Sequence, residues 1–184
     1  MMSNRPGLLF VAAFVFLAVI TPRTLPAVEL IVNPANPACS QNATPQCFTT
    51  IQAAIDFAQD VITSSATTTN FTVLVEPGIY SGGITLRSNI PIEGRETART
   101  VIVGGGGPAI TAANGVSNVS VSNFTIMDSS VGIDITNASV GINNNIFTVG
   151  VSGIAIQIQA QTTTAQPIIN NTFSQNGTAI RSTS

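Results

Sequence analysis

Short apolar and β-branched runs dominate the chain from Phe71 onward. Each run is three to six residues long, as in "FTVLVE", "TVIVG" and "GIDI", and Gly, Asn, Pro or Ser separates it from the next. No helical period interrupts the series. Runs of this length that are rich in Val, Ile and Thr and bounded by turn residues are typical of β-strands. The sequence therefore predicts an all-β fold for this part of the chain.

Several of these runs belong to a longer repeat. The segments 119–135, 140–156 and 167–180 each contain an apolar strand, an asparagine, a polar turn and an Ile-rich strand. A repeat of this size with short strands indicates a solenoid. Its copies contain neither a helix nor the leucine pattern of leucine-rich repeats. We therefore expect a single-stranded parallel β-helix, in which each coil stacks its strands on those of the preceding coil and turns Val and Ile inward.

One asparagine recurs in each repeat. Asn123, Asn145 and Asn171 are separated by 22 and 26 residues. Asparagine tolerates the left-handed backbone that tight turns need, and amides stacked on successive coils can hydrogen-bond to one another. We therefore predict that these three side chains form a ladder that stabilises the scaffold, and that they are not a binding site.

The segment "FTTIQAAIDFAQDVI" carries the one helical pattern of the chain. Apolar residues recur in it at helical spacing, at Ile51, Ala54, Ile55, Ala58 and Ile62. Thr49 is followed three residues later by Gln52, which is the spacing of a capping box. The sequence predicts a helix over residues 49–62 with Thr49 and Gln52 as its cap. This helix would close the N-terminal end of the β-helix.

The first residues have the features of an export signal. Arg5 precedes a thirteen-residue apolar stretch from Leu8 to Ile20, which is shorter than the roughly 20 residues of a membrane-spanning helix. We predict a secretory signal peptide over residues 1–27. The mature chain would be secreted, periplasmic or on the cell surface, and would contact the membrane only through the signal peptide. An uncleaved N-terminal anchor is the alternative.

The chain has two cysteines, Cys39 and Cys47, in a Pro- and Asn-rich segment. We predict that they form a disulfide within an N-terminal loop over residues 28–47, because an isolated pair in an exported chain most simply pairs with itself. A zinc site would need further ligands, and the chain contains no His and no third Cys.

The stretch "FTTIQAAIDFA", followed by "FTVLVEPGIYSGGITL", "IPIEGRE" and "TVIVGG", resembles the opening of pectinesterases. These belong to the pectin lyase-like superfamily of right-handed parallel β-helix proteins, and the later repeats resemble the coils of the same superfamily. The resemblance implies a right-handed β-helix over residues 48–184 that is capped by the helix. It covers nearly all of the expected mature chain.

The catalytic motifs of that superfamily are missing from this sequence. Pectinesterases carry Gln–Asp dipeptides on successive coils, whereas Gln59–Asp60, the only such pair here, lies in the predicted helix. Pectate lyases hold Ca²⁺ with clustered carboxylates, and only two acidic residues follow Glu96. We therefore expect no metal site and no cofactor, and no catalytic residue can be transferred from the resemblance.

Three charged residues are the remaining candidates for a site. Asp134 alternates with two isoleucines that should face inward, so its side chain should point outward from a strand. Asp128 should lie in a turn, and Arg181 should lie in a later coil along the same face. Two solvated surface acids and an exposed arginine are the alternative interpretation.

These features predict an exported β-helix that is either structural or interacts with carbohydrate at the cell envelope. Its partner would be a polysaccharide or a cell-surface glycan, and the low net charge of −2 argues against nucleic acid. The alternative is a polysaccharide-processing enzyme whose active coils lie elsewhere or are unrecognised. Because β-helix ends expose strand edges, we also expect further coils or a partner at the C-terminal end.

Overall fold

The computed structural model describes residues 27–37, 39, 46–65, 69–160 and 167–183. Apart from Ala27, the predicted signal peptide lies outside these residues.

The described residues form a β-solenoid of three parallel sheets. Sheet A contains β1 (Val28–Val32), β2 (Cys47–Phe48), β3 (Phe71–Val75), β6 (Ile92–Gly94), β9 (Val119–Ser122), β12 (Val140–Asn143) and β15 (Ile168–Ile169). Sheet B contains β4 (Gly78–Ser81), β7 (Thr100–Val103), β10 (Thr125–Met127), β13 (Ile146–Thr148) and β16 (Thr172–Phe173). Sheet C contains β5 (Ile84–Thr85), β8 (Pro108–Ala112), β11 (Val131–Thr136), β14 (Gly150–Gln159) and β17 (Asn176–Thr183). The predicted parallel β-helix is confirmed.

The core consists of inward-pointing columns, because the registers of all three sheets place apolar residues above one another. One column per sheet illustrates this. The sheet A column is Leu30, Val73, Ile92, Val121 and Ile142. The sheet B column is Tyr80, Ile102, Ile126, Phe147 and Phe173. The sheet C column is Ile84, Ile110, Ile133, Ile156 and Ile180. Full burial of each aliphatic side chain contributes about 1.5–3 kcal/mol.

The single helix of the described residues, α1 (Ile51–Ser64), closes the N-terminal end of this core. It buries Ile51, Ala54, Ile55 and Ala58 in the same apolar cluster as the sheets. The predicted cap is displaced by one residue. The N-cap is Thr50 and not Thr49, because the Thr50 backbone is extended and its Oγ1 accepts a hydrogen bond from Ala53 N at 3.2 Å.

Gln52 also has a different role from the predicted one. Its Oε1 accepts a hydrogen bond from Thr85 N at 2.8 Å, and its Nε2 donates to Asp56 Oδ1 at 2.8 Å. The side chain therefore ties the helix to β5 and takes no part in a capping box.

The segment 28–47, predicted as a loop, begins with a strand. β1 pairs with β3 over five residues, from Val28 opposite Phe71 to Val32 opposite Val75. The predicted disulfide between Cys39 and Cys47 is confirmed. It links Cys39, which follows β1, to the first residue of β2, a strand on which α1 packs.

Asn145 is buried between the coils, with only 1% of its surface exposed. Its Oδ1 accepts from Phe124 N at 2.9 Å, and its Nδ2 donates to Val121 O at 3.0 Å. Its backbone N and Nδ2 both donate to Asn171 Oδ1, at 2.9 and 3.1 Å. Asn171 Nδ2 in turn donates to Ile142 O at 2.8 Å. The structure thus brings Asn145 and Asn171 together as stacked amides.

Asn123 departs from the predicted ladder by one position. The register pairs Thr125 with Ile146, so the residue of the preceding coil that stacks on Asn145 is Phe124. Asn123 instead aligns with Asn144, and both have left-handed backbones, with φ of 63° and 58°. The left-handed turn position and the amide ladder are therefore two adjacent columns, and the prediction that one column of asparagines serves as both is wrong.

Candidate functional site

The outer face of sheet C carries a continuous column of hydrogen-bonding side chains. The column arises from the alternation of side chains along each strand. Each of its residues follows an inward isoleucine and therefore points away from the core. The strand registers place its members directly above one another on successive coils. We call it the polar column, and it consists of Thr85, Thr111, Asp134, Gln157 and Arg181.

The lower half of the polar column is joined by side-chain hydrogen bonds. Asp134 Oδ1 accepts from Gln157 Nε2 at 3.1 Å and from Gln159 Nε2 at 2.8 Å. Arg181 Nη2 donates to Gln157 Oε1. Gln157 thus connects a carboxylate on one side to a guanidinium on the other, and only 8% of its surface is exposed. These contacts hold the planar groups in fixed orientations.

The upper half of the column leads to the end that the helix covers. Thr111 Oγ1 donates to Ile84 O at 3.4 Å, and Thr85 N donates to the Gln52 side chain. With an inter-strand spacing of about 4.8 Å, the four steps from Thr85 to Arg181 span about 19 Å. The column is therefore a linear feature that runs along the solenoid axis.

Two adjoining cavities open beside the upper end of the column. The first has a volume of about 340 Å³ and lies between the start of α1 and the β4–β5 turn, where Gln52 and Ile84 contribute to its wall. The second has a volume of about 370 Å³ and lies between β4 and β7. Both are bordered by residues 79–82. The first cavity adjoins the column through Gln52, whose Oε1 accepts the hydrogen bond from Thr85 N.

Tyr80 lies beneath these cavities with its ring in the core. Its hydroxyl donates to Glu76 O at 2.6 Å and approaches Val32 O at 3.4 Å. Burial, with a smaller contribution from the Glu76 carboxylate, raises the pKa of Tyr80 to about 12. The phenol is therefore a neutral hydrogen-bond donor that fixes the cavity floor, and it is poorly suited to proton transfer near neutral pH.

The structure brings two of the three candidate charged residues into one array. Asp134 and Arg181 lie in the polar column two coils apart, with Gln157 between them. Asp128 lies elsewhere, exposed in the turn after β10 with a left-handed backbone (φ 50°). The strand registers and hydrogen bonds thus join Asp134 to Arg181 through Gln157, whereas Asp128 lies outside the column.

Sequence reasoning missed Gln157 and Gln159, which connect the array. The signal was the alternation in "GIAIQIQ", where both glutamines have the same phase as Asp134 in "GIDI". Alignment of Ile133 with Ile156 and of Ile135 with Ile158 gives the register that places Gln157 on Asp134.

Metal ligands do not cluster in the part of the chain that the structure describes: it contains no group of three or more His, Cys, Asp or Glu residues that could hold an ion. Its cysteines are both in the disulfide. None of its helices is long and apolar enough to cross a membrane.

Comparison with known proteins assigns neither a family nor a function to the chain. No family model, no curated protein and no solved structure matches the chain. The parallel β-solenoid is thus established by the structure itself, and the superfamily suggested by the sequence stays a prediction.

Proposed function

We propose that this chain is an exported β-helix of the pectin lyase-like type that binds a polysaccharide or cell-surface glycan along the polar column without chemically altering it. The observation that carries the proposal is the in-register array of hydrogen-bonding side chains on the outer face of sheet C. The proposal concerns the outer face of the solenoid, because the interior is filled by apolar columns.

The chemistry of the column suits a hydroxyl-rich polymer. Asp134 supplies acceptor oxygens, Arg181 supplies donors, and Gln157 supplies both kinds of group. Each coil contributes one hydrogen-bonding side chain to the column, so a linear polymer laid along the axis would meet one such side chain at each step. The span of about 19 Å accommodates several sugar units.

The internal hydrogen bonds of the column favour binding over catalysis. Glycoside hydrolysis uses two carboxyl groups that flank the scissile bond, whereas the column contains one carboxylate. That carboxylate already accepts hydrogen bonds from two glutamine amides, which hold it in one orientation. A preorganised set of donors and acceptors loses little entropy when it binds a ligand.

Export is supported by two features of the N-terminal region. The apolar stretch Leu8–Ile20 has the length of a signal-peptide core. The disulfide between Cys39 and Cys47 is of the kind that persists in oxidising compartments. Both are compatible with a protein that meets glycans outside the cytoplasm.

Affinity electrophoresis of the purified chain through gels that contain soluble polysaccharides tests the proposal. The panel should include a neutral galactomannan, a β-glucan and polygalacturonate, the last with and without Ca²⁺. We expect at least one of these polymers to retard the wild-type chain. Retardation by none of them, or release of unsaturated oligosaccharides, would contradict binding without chemistry, and the second result would support the enzyme alternative.

Two acidic residues provide a matched pair of variants. Asp134→Ala removes the acceptor at the centre of the column, and we expect affinity to fall about 10- to 100-fold because hydrogen bonds to charged groups contribute about 1.5–3 kcal/mol. Asp128→Asn removes one charge outside the column and keeps a residue that tolerates a positive φ, so affinity should be unchanged. Equal losses in both variants would indicate a general charge effect and not a site at the polar column.

A further inference from the structure

The first cavity, between the start of α1 and the β4–β5 turn, is surrounded by uncharged side chains. None of the described residues that line it is acidic or basic. The same holds for the described lining of the second cavity, between β4 and β7. A charged ligand group placed there would lose part of its hydration without gaining a partner of opposite charge, which is costly. The first cavity therefore suits an uncharged ligand.

The wall of this cavity combines hydroxyl groups with apolar surface. Thr49, Thr50 and Ser81 line it and are exposed residues. Pro34 is also exposed there, and Ile79 exposes 77% of its surface. A hydroxyl group can both donate and accept a hydrogen bond. A sugar ring offers the matching groups, because its hydroxyl groups surround faces that are formed by C–H groups.

Contacts within the fold hold both sides of the cavity in place. On the helix side, Gln52 Oε1 accepts the hydrogen bond from Thr85 N at 2.8 Å. On the other side, the β4–β5 turn packs tightly on the next coil. A Cβ atom added to Gly82 would lie 2.9 Å from the Cα atoms of both Gly104 and Ala109. The cavity is therefore preformed, and little ordering is needed when it binds a ligand.

The cavity lies next to the uncharged half of the polar column. Gln52 lines the cavity and is bonded to Thr85, the first member of the column. The next member, Thr111, is uncharged as well. Asp134 and Arg181 belong to the other half of the column. A polymer laid along the column would therefore reach the cavity after two threonines, with no charged member of the column between.

We propose that the first cavity binds one uncharged sugar unit of the glycan that the polar column binds, and that this glycan is a neutral polysaccharide. The inference rests on the function proposed above and narrows its partner to one chemical class. The volume of about 340 Å³ lies at the lower end of the range of about 300–1,000 Å³ that is usual for small-molecule sites. The cavity thus admits a single small unit, while the rest of the polymer lies on the column.

Affinity electrophoresis of two variants in gels of galactomannan, β-glucan and polygalacturonate tests this inference. Ser81→Leu removes a hydroxyl group from the wall and narrows the cavity. Affinity for the neutral polymer that retards the wild type most should fall at least about tenfold. Thr148→Leu is the matched control, because Thr148 continues the outer column of Ser81 three coils away, at about 14 Å. Its affinity should be unchanged.

The outcomes separate this inference from the function on which it rests. Stronger retardation by polygalacturonate than by the neutral polymers, or equal affinities of the two variants, would overturn the role of the cavity. In that case a loss of affinity in Asp134→Ala would still support the polar column. Retardation of the wild type by none of the polymers would contradict the proposed function, and this inference with it.

Circular dichroism establishes that the variants are folded. If Ser81→Leu fails to fold, Ile79→Ser decides, because it removes apolar surface from the cavity wall at a position that is 77% exposed. Affinity for the neutral polymer should then fall at least about threefold. An unchanged affinity in this variant would overturn the inference.

Discussion

Replacement of Asn145 by alanine should destabilise the chain strongly, although the residue carries no charge and lies in a run of amides. The substitution removes three side-chain hydrogen bonds, to Phe124 N, Val121 O and Asn171 Oδ1. It leaves the backbone bond from Asn145 N to Asn171 intact. Since Phe124 is fully buried, its N–H group loses its partner where water has poor access.

The expected magnitude follows from these contacts. A net hydrogen bond contributes about 1 kcal/mol, and a buried group left without a partner costs about 1–3 kcal/mol. Some of the three lost bonds will be replaced by relaxation or by water, so the free energy of unfolding should fall by about 2–4 kcal/mol. Asn143→Ala is the matched control. Asn143 Oδ1 is buried without a hydrogen-bond partner, and its removal should change stability by less than about 1 kcal/mol.

Urea unfolding monitored by circular dichroism measures the stability of both variants. The change in the free energy of unfolding is read from the shift in midpoint, provided that its dependence on urea concentration is unchanged. Polysaccharide affinity should be measured in parallel. A loss below about 1 kcal/mol for Asn145→Ala would refute the assignment of this residue to the scaffold. Loss of binding at unchanged stability would refute it more directly, because Asn145 would then belong to a site.

Two further predictions concern the capped end. Thr50→Ala should lower the free energy of unfolding by about 1 kcal/mol in urea, whereas Thr49→Ala should have almost no effect, and equal effects would contradict Thr50 as the N-cap. Tyr80, the only tyrosine of the chain, should titrate in ultraviolet spectra with a pKa of about 12, against its ordinary value of 10.0. Because folding raises this pKa, the stabilisation from the neutral phenol is complete below pH 10 and is lost as the pH rises from 10 to 12. A titration midpoint near 10 in the folded chain would contradict its burial.

The fold was predictable because its main determinant is local. Val and Ile alternate with polar residues in short runs that Gly, Asn, Pro or Ser separates, so strand length and inward face can both be read from the chain. The strand β1 was missed for the opposite reason. Its partner β3 follows the whole capping helix, and nothing near Val28 indicates a pairing with Phe71.

The two errors of register have a common physical cause. In each, identical residues are neighbours and only the backbone conformation distinguishes them. Thr49 and Thr50 are both good caps, but only one has its Oγ1 directed at the third helical N–H group. Asn144 and Asn145 occupy a left-handed turn and a buried ladder respectively, so the single Asn123 of the preceding coil could be matched to either.

The candidate site was predicted only in part. The outward phase of Asp134 and the shared face of Arg181 follow from alternation with isoleucine. The connection through Gln157 depends on which residue of β14 lies opposite Asp134 and on which residue of β17 lies opposite Gln157. An irregularity between Gly150 and Ile154 shifts the second of these registers. Such an irregularity changes side-chain pairing without changing the apolar pattern.

The side-chain amide resonances of the chain, followed by NMR during titration with a polysaccharide that retards it, test the central claim most directly. Gln157 and Gln159 contact Asp134 in the polar column, whereas Asn145 is enclosed by the scaffold. The resonances of the two glutamine amides should shift with the added polymer and saturate together, and that of Asn145 should stay in place. A shift confined to Asn145, or to residues outside sheet C, would contradict the assignment of binding to the polar column.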